Sequence, residues 1–360
     1  MKYLSGLFLI CLVMASSACR QPPAEIHRTF LALGTLVEVT LYDVPEPKAE
    51  QLLDAVETEF RRRHRDWHAW EESPVTRVNR AFAERRCIAV PDVLAPLLAP
   101  ATRLAVASGH LFNPAIGRLI ALWGFHAETY PDRPPPEDAI RALVSARPRM
   151  TDLHRDAEGR LCSRNPAVAL DFGGFAKGWA IGEVARLLQD GGVRNAVIDA
   201  GGDLQTLGRH GDRRWRIGIR DPERRDAVLG ALEVGDGESV FTSGDYERFF
   251  VWRGRRFHHI LDPRTGYPAT GARSVTVVHP VPAVADAAAT ALFVAGSGRW
   301  PAVAHRMGVD QVLLVTPEGS LEASPAMAAR LRLANPERTL HVLDLETPGP
   351  SALSDQESPD

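Results

Sequence analysis

Asp286 and Thr290 stand four residues apart in VADAAAT (residues 284–290), with only alanine between them. On a helix that spacing puts a carboxylate and a hydroxyl on one face, above a low floor that reads as open. With carbonyl oxygens from a nearby turn they would suit a hard cation such as Mg2+, which takes oxygen ligands. The same pair also fits a plain helix start, with Asp286 facing the dipole and Thr290 packing or bonding back. A second stretch, VALDFGGFAKG (residues 168–178), runs along an apolar strand to Asp171, turns at Gly173-Gly174 and enters a helix. Small residues at such a turn let backbone N–H groups approach an anion, and a helix N-terminus favours negative charge. Lys177 falls in the first helical turn, where a cation is disfavoured; an anionic ligand nearby would explain it. The spacing is neither GxGxxG nor a Walker A loop, so a tight turn and a phosphate or cofactor site are equally good readings.

Two further glycine-marked strand ends follow, NAVIDAGGDLQTLG (residues 195–208) and FTSGDYERFF (residues 241–250). Each alone is a hairpin connection, with Asp203 capping its turn. Three such ends close in sequence suggest one shared cleft wall. The last stretch, HHILDPRTG (residues 258–266), leads two histidines out of an apolar strand into a turn. Asp, Pro and Gly suffice for the turn; the imidazoles, Arg264 and Thr265 are surplus to it.

Elements must hold these groups in place. Strand character starts at Thr29 and continues through Val37–Tyr42, with alternation in its second half. Apolar spacing predicts helices over Lys48–Arg65, Val93–Ser108 (stopped by Gly109), Glu137–Ala146, Ala176–Leu188 and Ala283–Ala295. Trp67–Asn79 reads as turn-rich. From about residue 165 to about 280 the texture is strands and glycine turns. No internal repeat or dividing linker is visible, so the chain reads as one α+β unit with two lobes over residues 29–345.

The composition, 45% hydrophobic and 24% charged, is that of a globular protein. A net charge of −3 gives no basic footprint and argues against a nucleic-acid partner. Lys2, the apolar run Leu7–Met14 and the small residues before Cys19 predict an export signal over residues 1–18. Cys19 sits as in a lipoprotein cleavage site, although Ser16 stands where Leu is usual; a lipid there would tether the chain to a membrane surface. Residues 19–28 read as a linker and 346–360 as a disordered tail. Export permits a disulfide between Cys87 and Cys162; two buried thiols are the alternative. No Cys/His metal spacing occurs.

GTLVEV, HAWEESPVTRVN, FNPAIGRLIALWGF, LDFGGFAKGWAIGEVA, VIDAGGDLQTLG, TSGDYERFF, HHILDPRTG and ADAAATALFVAG occur in this order. Together they resemble the ApbE family, the FAD:protein FMN transferases or thiamine biosynthesis lipoproteins, over roughly residues 29–340. The resemblance implies a T-fold-like α+β domain with mixed and antiparallel sheets flanked by helices. It implies Mg2+-dependent cleavage of FAD, transfer of FMN through a phosphoester bond to a Thr or Ser hydroxyl of an acceptor protein, and release of AMP. Acceptors would be subunits of membrane redox complexes. An FAD pyrophosphatase and a non-catalytic FAD-binding lipoprotein are the alternatives.

Carried over residue by residue, the resemblance gives metal ligands at the Gly174 carbonyl and the Asp286 and Thr290 side chains. It gives flavin contacts at Leu33, Trp70, Phe112, Asn113, Asp171, Lys177 and Ile260. Many relatives have Asp where Asn113 stands, which leaves this position a hydrogen-bonding role. The family pattern has one histidine before the apolar pair and DPRTG, so His259 matches and His258 is extra; strand alternation sends them to opposite faces. His259 would act as a base nearly matched to neutral pH. Asp262 would orient it or approach the metal, and Arg264 would hold a phosphate. A packed His259 beside a merely loop-shaping DPRTG is the alternative.

Overall fold

The computed structural model describes residues 25–125, 130–224 and 226–345. The expected export signal, Cys19 and the tail from residue 346 lie outside them. The chain opens with a hairpin of β1 (Glu25–Ala32) and β2 (Thr35–Tyr42). Strand β1 takes up residues 25–28, so that part of the expected linker is sheet. Helices α1 (Glu46–Asp66), α2 (Pro74–Ala83), α3 (Ala95–Ala107), α4 (Gly117–Trp123) and α5 (Glu137–Ser145) follow. The short strands β3 (Leu153–Arg155) and β4 (Leu161–Ser163) precede α6 (Ala176–Asp190). Strands then dominate: β5 (Asn195–Ala200), β6 (Asp203–Leu207), β7 (Trp215–Arg220), β8 (Val228–Val234), β9 (Ser239–Gly244), β10 (Phe249–Trp252), β11 (Arg255–His258) and β12 (Ser274–His279). The described chain ends with α7 (Pro282–Ala295), α8 (Trp300–Met307), β13 (Gln311–Val315), β14 (Leu321–Ala323), α9 (Pro325–Arg330), β15 (Arg332–Leu333) and β16 (Leu340–Val342).

Nine strands form the central sheet in the order β1-β2-β5-β6-β9-β12-β13-β14-β16. Its pairs are antiparallel except β14 with β16. Side-chain alternation explains why its middle strands read as unbroken apolar runs. Val275 and Val277 join a core beneath helices α1, α6 and α7, whereas Val278 joins a second core under β7, β8 and α9. Both faces are covered, so both need apolar residues. A third cluster, an aromatic satellite, joins Trp123 at the end of α4 and Phe125 just beyond it to Phe250 and Phe257 of the β10–β11 hairpin.

The turn-rich reading of Trp67–Asn79 fails in its second half, where α2 begins at Pro74. Ser73 caps it, accepting from Thr76 N, and Pro74 occupies the first turn, where its missing N–H costs nothing. Helix α7 is also not open: alanines 285, 287, 288 and 289 are all buried. A helix apolar on every side is an interior helix, and its alanines allow close approach rather than exposure. Gly178 of α6 shows how close: a Cβ there would lie 2.4 Å from the Pro282 carbonyl oxygen. Cys87 and Cys162 are joined in a disulfide, with Cα atoms 4.4 Å apart, and the neighbouring Ile88 and Leu161 form a bridge pair.

Candidate active site

The N-terminal turns of α6 and α7 meet, and the predicted ligands meet with them. A Cβ built on Gly174 would lie 3.0 Å from Thr290 Oγ1 and 3.7 Å from the Phe112 ring. The Thr290 hydroxyl is also 3.4 Å from Ser243 Oγ at the end of β9. One helical turn away, Asp286 Oδ2 accepts the Gly178 N–H at 2.8 Å. Burial pushes the Asp286 carboxyl well above the usual carboxylate range; the Lys177 ammonium opposes that shift and the Asp203 charge adds to it. A buried carboxylate whose charge is costly calls for a cation. The cation present is Lys177, paired with Asp203. Burial lowers the Lys177 pKa, but Asp203 and Asp286 together hold it above the ordinary lysine value. The lysine at a helix N-terminus is thus balanced by two carboxylates of the chain itself, and a ligand is not needed to explain it.

Asp203 belongs to the active geometry rather than only to its turn. Its Oδ1 accepts the Thr242 N–H at 2.8 Å while Oδ2 takes Lys177. Asp171 accepts the Gly173 N–H at 2.7 Å, and its own N–H bonds to Pro114 O at 2.8 Å. The extended segment leading to it is gripped by Asn79, whose amide both donates to Leu170 O at 2.9 Å and accepts Leu170 N–H at 2.6 Å. Asn79 closes the HAWEESPVTRVN segment, and sequence reasoning gave it no role. Arg248 was missed as well. It reaches Gly34 O at 3.5 Å, and its charge bears on both His259 and Lys177. It therefore ties the β1–β2 turn to the cleft. Leu33 in that turn has φ +50°, a strained conformation for a branched side chain. Trp70 lies half-buried in the bend after α1, where His68 Nδ1 accepts the Trp70 and Glu71 N–H groups.

The two histidines divide as alternation requires. His258 is buried edge-on against Phe293, with Nε2 donating to Ala269 O at 2.8 Å and Nδ1 accepting from Ile260 N at 3.3 Å. Ile260 is buried beside it and accepts the Ala269 N–H at 2.9 Å. His259 lies on the other side, and its Nδ1 is buried without a hydrogen-bond partner. Burial, then the Arg248 charge, pull its pKa down to about 3. This corrects the expectation of a base matched to neutral pH: the imidazole is neutral across the physiological range and weakly basic.

Two other expected site residues are already bonded to the chain itself. Asp262 is held by Arg264 at 2.7 Å and accepts the Arg264 backbone N–H at 2.9 Å; it makes no hydrogen bond to His259 among the described residues. Arg264 also reaches Val294 O at 3.4 Å, eight residues beyond Asp286 on α7. At 1.5 Å per residue that is about 12 Å along the helix from Asp286, and about 6 Å from Thr290. Asp262 and Arg264 brace their loop against the last turn of α7, one turn beyond Thr290. Asn113 spends both ends of its amide on backbone, donating to Pro148 O at 2.9 Å and accepting from Ala115 N at 3.1 Å. Its side chain shapes the segment beside Phe112 and lines the cavity that His110 and Arg264 also border.

Fold and site together define an α+β protein whose cleft combines oxygen donors, a buried cation–carboxylate network and glycine turns, a set suited to a phosphate-bearing ligand. The ApbE family model matches residues 33–313, and the chain belongs to that family. An FAD:protein FMN transferase of Rhodobacter capsulatus is 44% identical over 310 residues, 86% of this chain, and the chain spans 59% of that relative's length. One from Treponema pallidum is 32% identical, with 90% of this chain and 94% of the relative aligned. Among solved structures, the ApbE protein of Thermotoga maritima superposes with a TM-score of 0.78 at 31% identity, covering 85% of this chain and 99% of that one. The flavin transferase ApbE of Vibrio cholerae gives 0.74 at 27%, covering 86% and 100%.

Proposed function

We propose that this chain is an FAD:protein FMN transferase, moving FMN from FAD to a Thr or Ser hydroxyl of a target protein and releasing AMP. The observation that carries the reading is the meeting of Gly174 with Thr290 and of Gly178 with Asp286 beside Lys177. The donor set fits Mg2+: a hydroxyl, a buried carboxylate and a turn carbonyl supply only hard oxygen ligands. They leave room for the phosphates and waters that Mg2+ retains. Asp286, Thr290 and the Gly174 carbonyl would hold the ion, which when bound offsets pyrophosphate charge. The one cluster of His, Cys and acidic residues among the described residues, Cys87, Asp156 and Cys162, has both sulfurs in a disulfide and is no rival.

In the transfer, the acceptor oxygen bonds to the FMN phosphorus, the phosphoanhydride bond to AMP breaks with its electron pair leaving on AMP, and the hydroxyl proton passes to the departing AMP phosphate or to water. Lys177 and Arg248 offset negative charge on the phosphates. The unpaired Nδ1 of His259 accepts a hydrogen bond from the incoming hydroxyl and so orients it. A weak base suffices for this, since phosphoryl transfer depends mainly on positioning and charge. Export and a lipid on Cys19 are part of the same reading, with redox-complex subunits as acceptors. The Cys87–Cys162 disulfide supports an oxidising compartment, and mass spectrometry of the mature N-terminus tests it. The activity itself is tested by incubating the chain with FAD, Mg2+ and a candidate acceptor. A covalently fluorescent acceptor with equimolar AMP is expected; free FMN and AMP alone, or flavin binding without turnover, would overturn the proposal.

A further inference from the structure

A cavity of about 470 Å3 is bordered by α4, the end of α5 and the residues that follow it. That volume suits a small organic molecule. Four arginines line it, Arg118, Arg147, Arg149 and Arg264, and no acidic residue does. Arg264 is paired with Asp262. Asp152 accepts the Arg149 backbone N–H at 2.9 Å. Among the described residues no ion pair holds the guanidinium groups of Arg118, Arg147 and Arg149. Like charges around one concavity gather anions. Arg147 directly follows the cap of α5 with φ +46°, where glycine is usual and an arginine is strained. His110, also in the lining, has a buried Nδ1 without a hydrogen-bond partner, which marks a place for a ligand or a water. Apolar groups complete the wall: Leu143 and Val144 are half-buried, and Ile116 and Leu119 are buried. Of the residues expected at the flavin and the metal, only Asn113 borders this cavity. Ile116 belongs to the stretch paired with Ala169 and Asp171, which runs on to the Gly174 turn, yet neither Asp171 nor Gly174 lines it.

We propose that this cavity is a second binding site, separate from the Asp286 cleft, for an organic phosphate: its phosphates on Arg118, Arg147 and Arg149, its flat or apolar body against Leu143 and Val144. Guanidinium groups meet phosphate oxygens in a paired, planar geometry, and three of them suit a di- or triphosphate better than a single charge. A phosphate on a lipid offers the same chemistry from another source. The buried Asn113, Ile116 and Leu119 in the lining set the cavity into the protein, whereas a lipid headgroup stays at the membrane surface, so a free phosphate is favoured. The site stands whether or not the chain transfers FMN.

The test is calorimetry of the full chain in EDTA with three probes: ATP, inorganic triphosphate and phosphatidylglycerol vesicles. Wild type is expected to bind ATP at a site that saturating FAD leaves open, more tightly than triphosphate, with a Kd that rises steeply with salt. R147E/R149E, at two exposed positions, should raise that Kd at least about tenfold and leave the FAD Kd unchanged; R147K/R149K, which keeps the charge, should fall between. An unchanged ATP Kd in R147E/R149E overturns the site. So does displacement of ATP by FAD, which would put the phosphates in the Asp286 cleft, and so does triphosphate bound as tightly as ATP, which would leave the apolar wall without a role. Vesicle binding abolished in R147E/R149E, with no ATP bound by wild type, would give these arginines to a membrane surface and overturn it as well. Should R147E/R149E unfold, the competition between ATP and FAD on wild type decides.

Discussion

Gly178→Ala should loosen the junction on which the site depends. The added Cβ would sit 2.4 Å from Pro282 O, 2.7 Å from its carbonyl carbon and 2.9 Å from Ala283 Cα. These are backbone atoms of the neighbouring helix, so no side chain can swing aside. Reaching ordinary contact requires α6 and α7 to separate by about 1 Å. Overpacking of this kind costs ~1–3 kcal/mol. The same movement stretches the Gly178–Asp286 hydrogen bond from 2.8 Å, and losing a bond to a charged group costs a further ~1.5–3 kcal/mol. Alanine's better helix propensity returns about 1 kcal/mol. The net loss is about 2–5 kcal/mol, equivalent to a fall in Tm of roughly 3–7 °C for a chain of this size. Urea unfolding gives the stability, and Mg2+ titration of FMN transfer gives the half-saturation, which should rise because Asp286 and Thr290 on α7 shift relative to Gly174, which leads into α6. A variant as stable as wild type, with the same Mg2+ dependence, would refute the close α6–α7 contact and the reasoning built on it.

Asp286→Asn keeps shape while removing the buried charge; FMN transfer should fall at least about a hundredfold, and steady-state rates within a few-fold of wild type would count against its role. The buried neutral histidines make stability depend on pH. Both unfold to a pKa of about 6.5, whereas burial holds His258 at about 4 and His259 at about 3. Their folded pKa values are depressed, so the unfolded chain binds more protons and stability is lost as pH falls from about 6.5 toward 4, at up to ~1.4 kcal/mol per pH unit for each. Urea midpoints across that range should drop less steeply in His258→Gln; parallel curves would contradict the assignment. Reducing Cys87–Cys162, which spans a sequence separation of 75 residues, should cost about 4 kcal/mol if chain entropy governs. An unchanged Tm in dithiothreitol, with thiols shown to be free, would disagree.

The sequence was most legible where periodicity is local. The four-residue spacing of Asp286 and Thr290 and the turn into a helix around Gly174 are short-range facts, and both appear as read; the expected strand before that turn is an extended segment with one isolated bridge, Ala169 to Ile116. Ser73-Pro74 was an available helix start obscured by the tryptophans before it. What alanines 285, 287, 288 and 289 face is a tertiary matter, and a stretch of small residues reads the same whether it lines an opening or a tight helix contact. Lys177 suggested an absent anion because its partners, Asp203 and Asp286, are 26 and 109 residues away. The partners of Asp262 and Asn113 were hidden for a related reason: residue type shows that a side chain can bond, and only the fold shows that Arg264 and the Pro148 carbonyl bond them. Arg248 gave no signal, since one arginine among dispersed arginines has no pattern until β9 and the β1–β2 turn come together.

The most direct test of the central claim is anomalous diffraction from crystals soaked with Mn2+ and FAD. The account predicts a single strong peak within coordination distance of Asp286, Thr290 and the Gly174 carbonyl, with the pyrophosphate completing the shell. A peak held by other residues, or pyrophosphate bound away from Gly174 and Thr290, would contradict it.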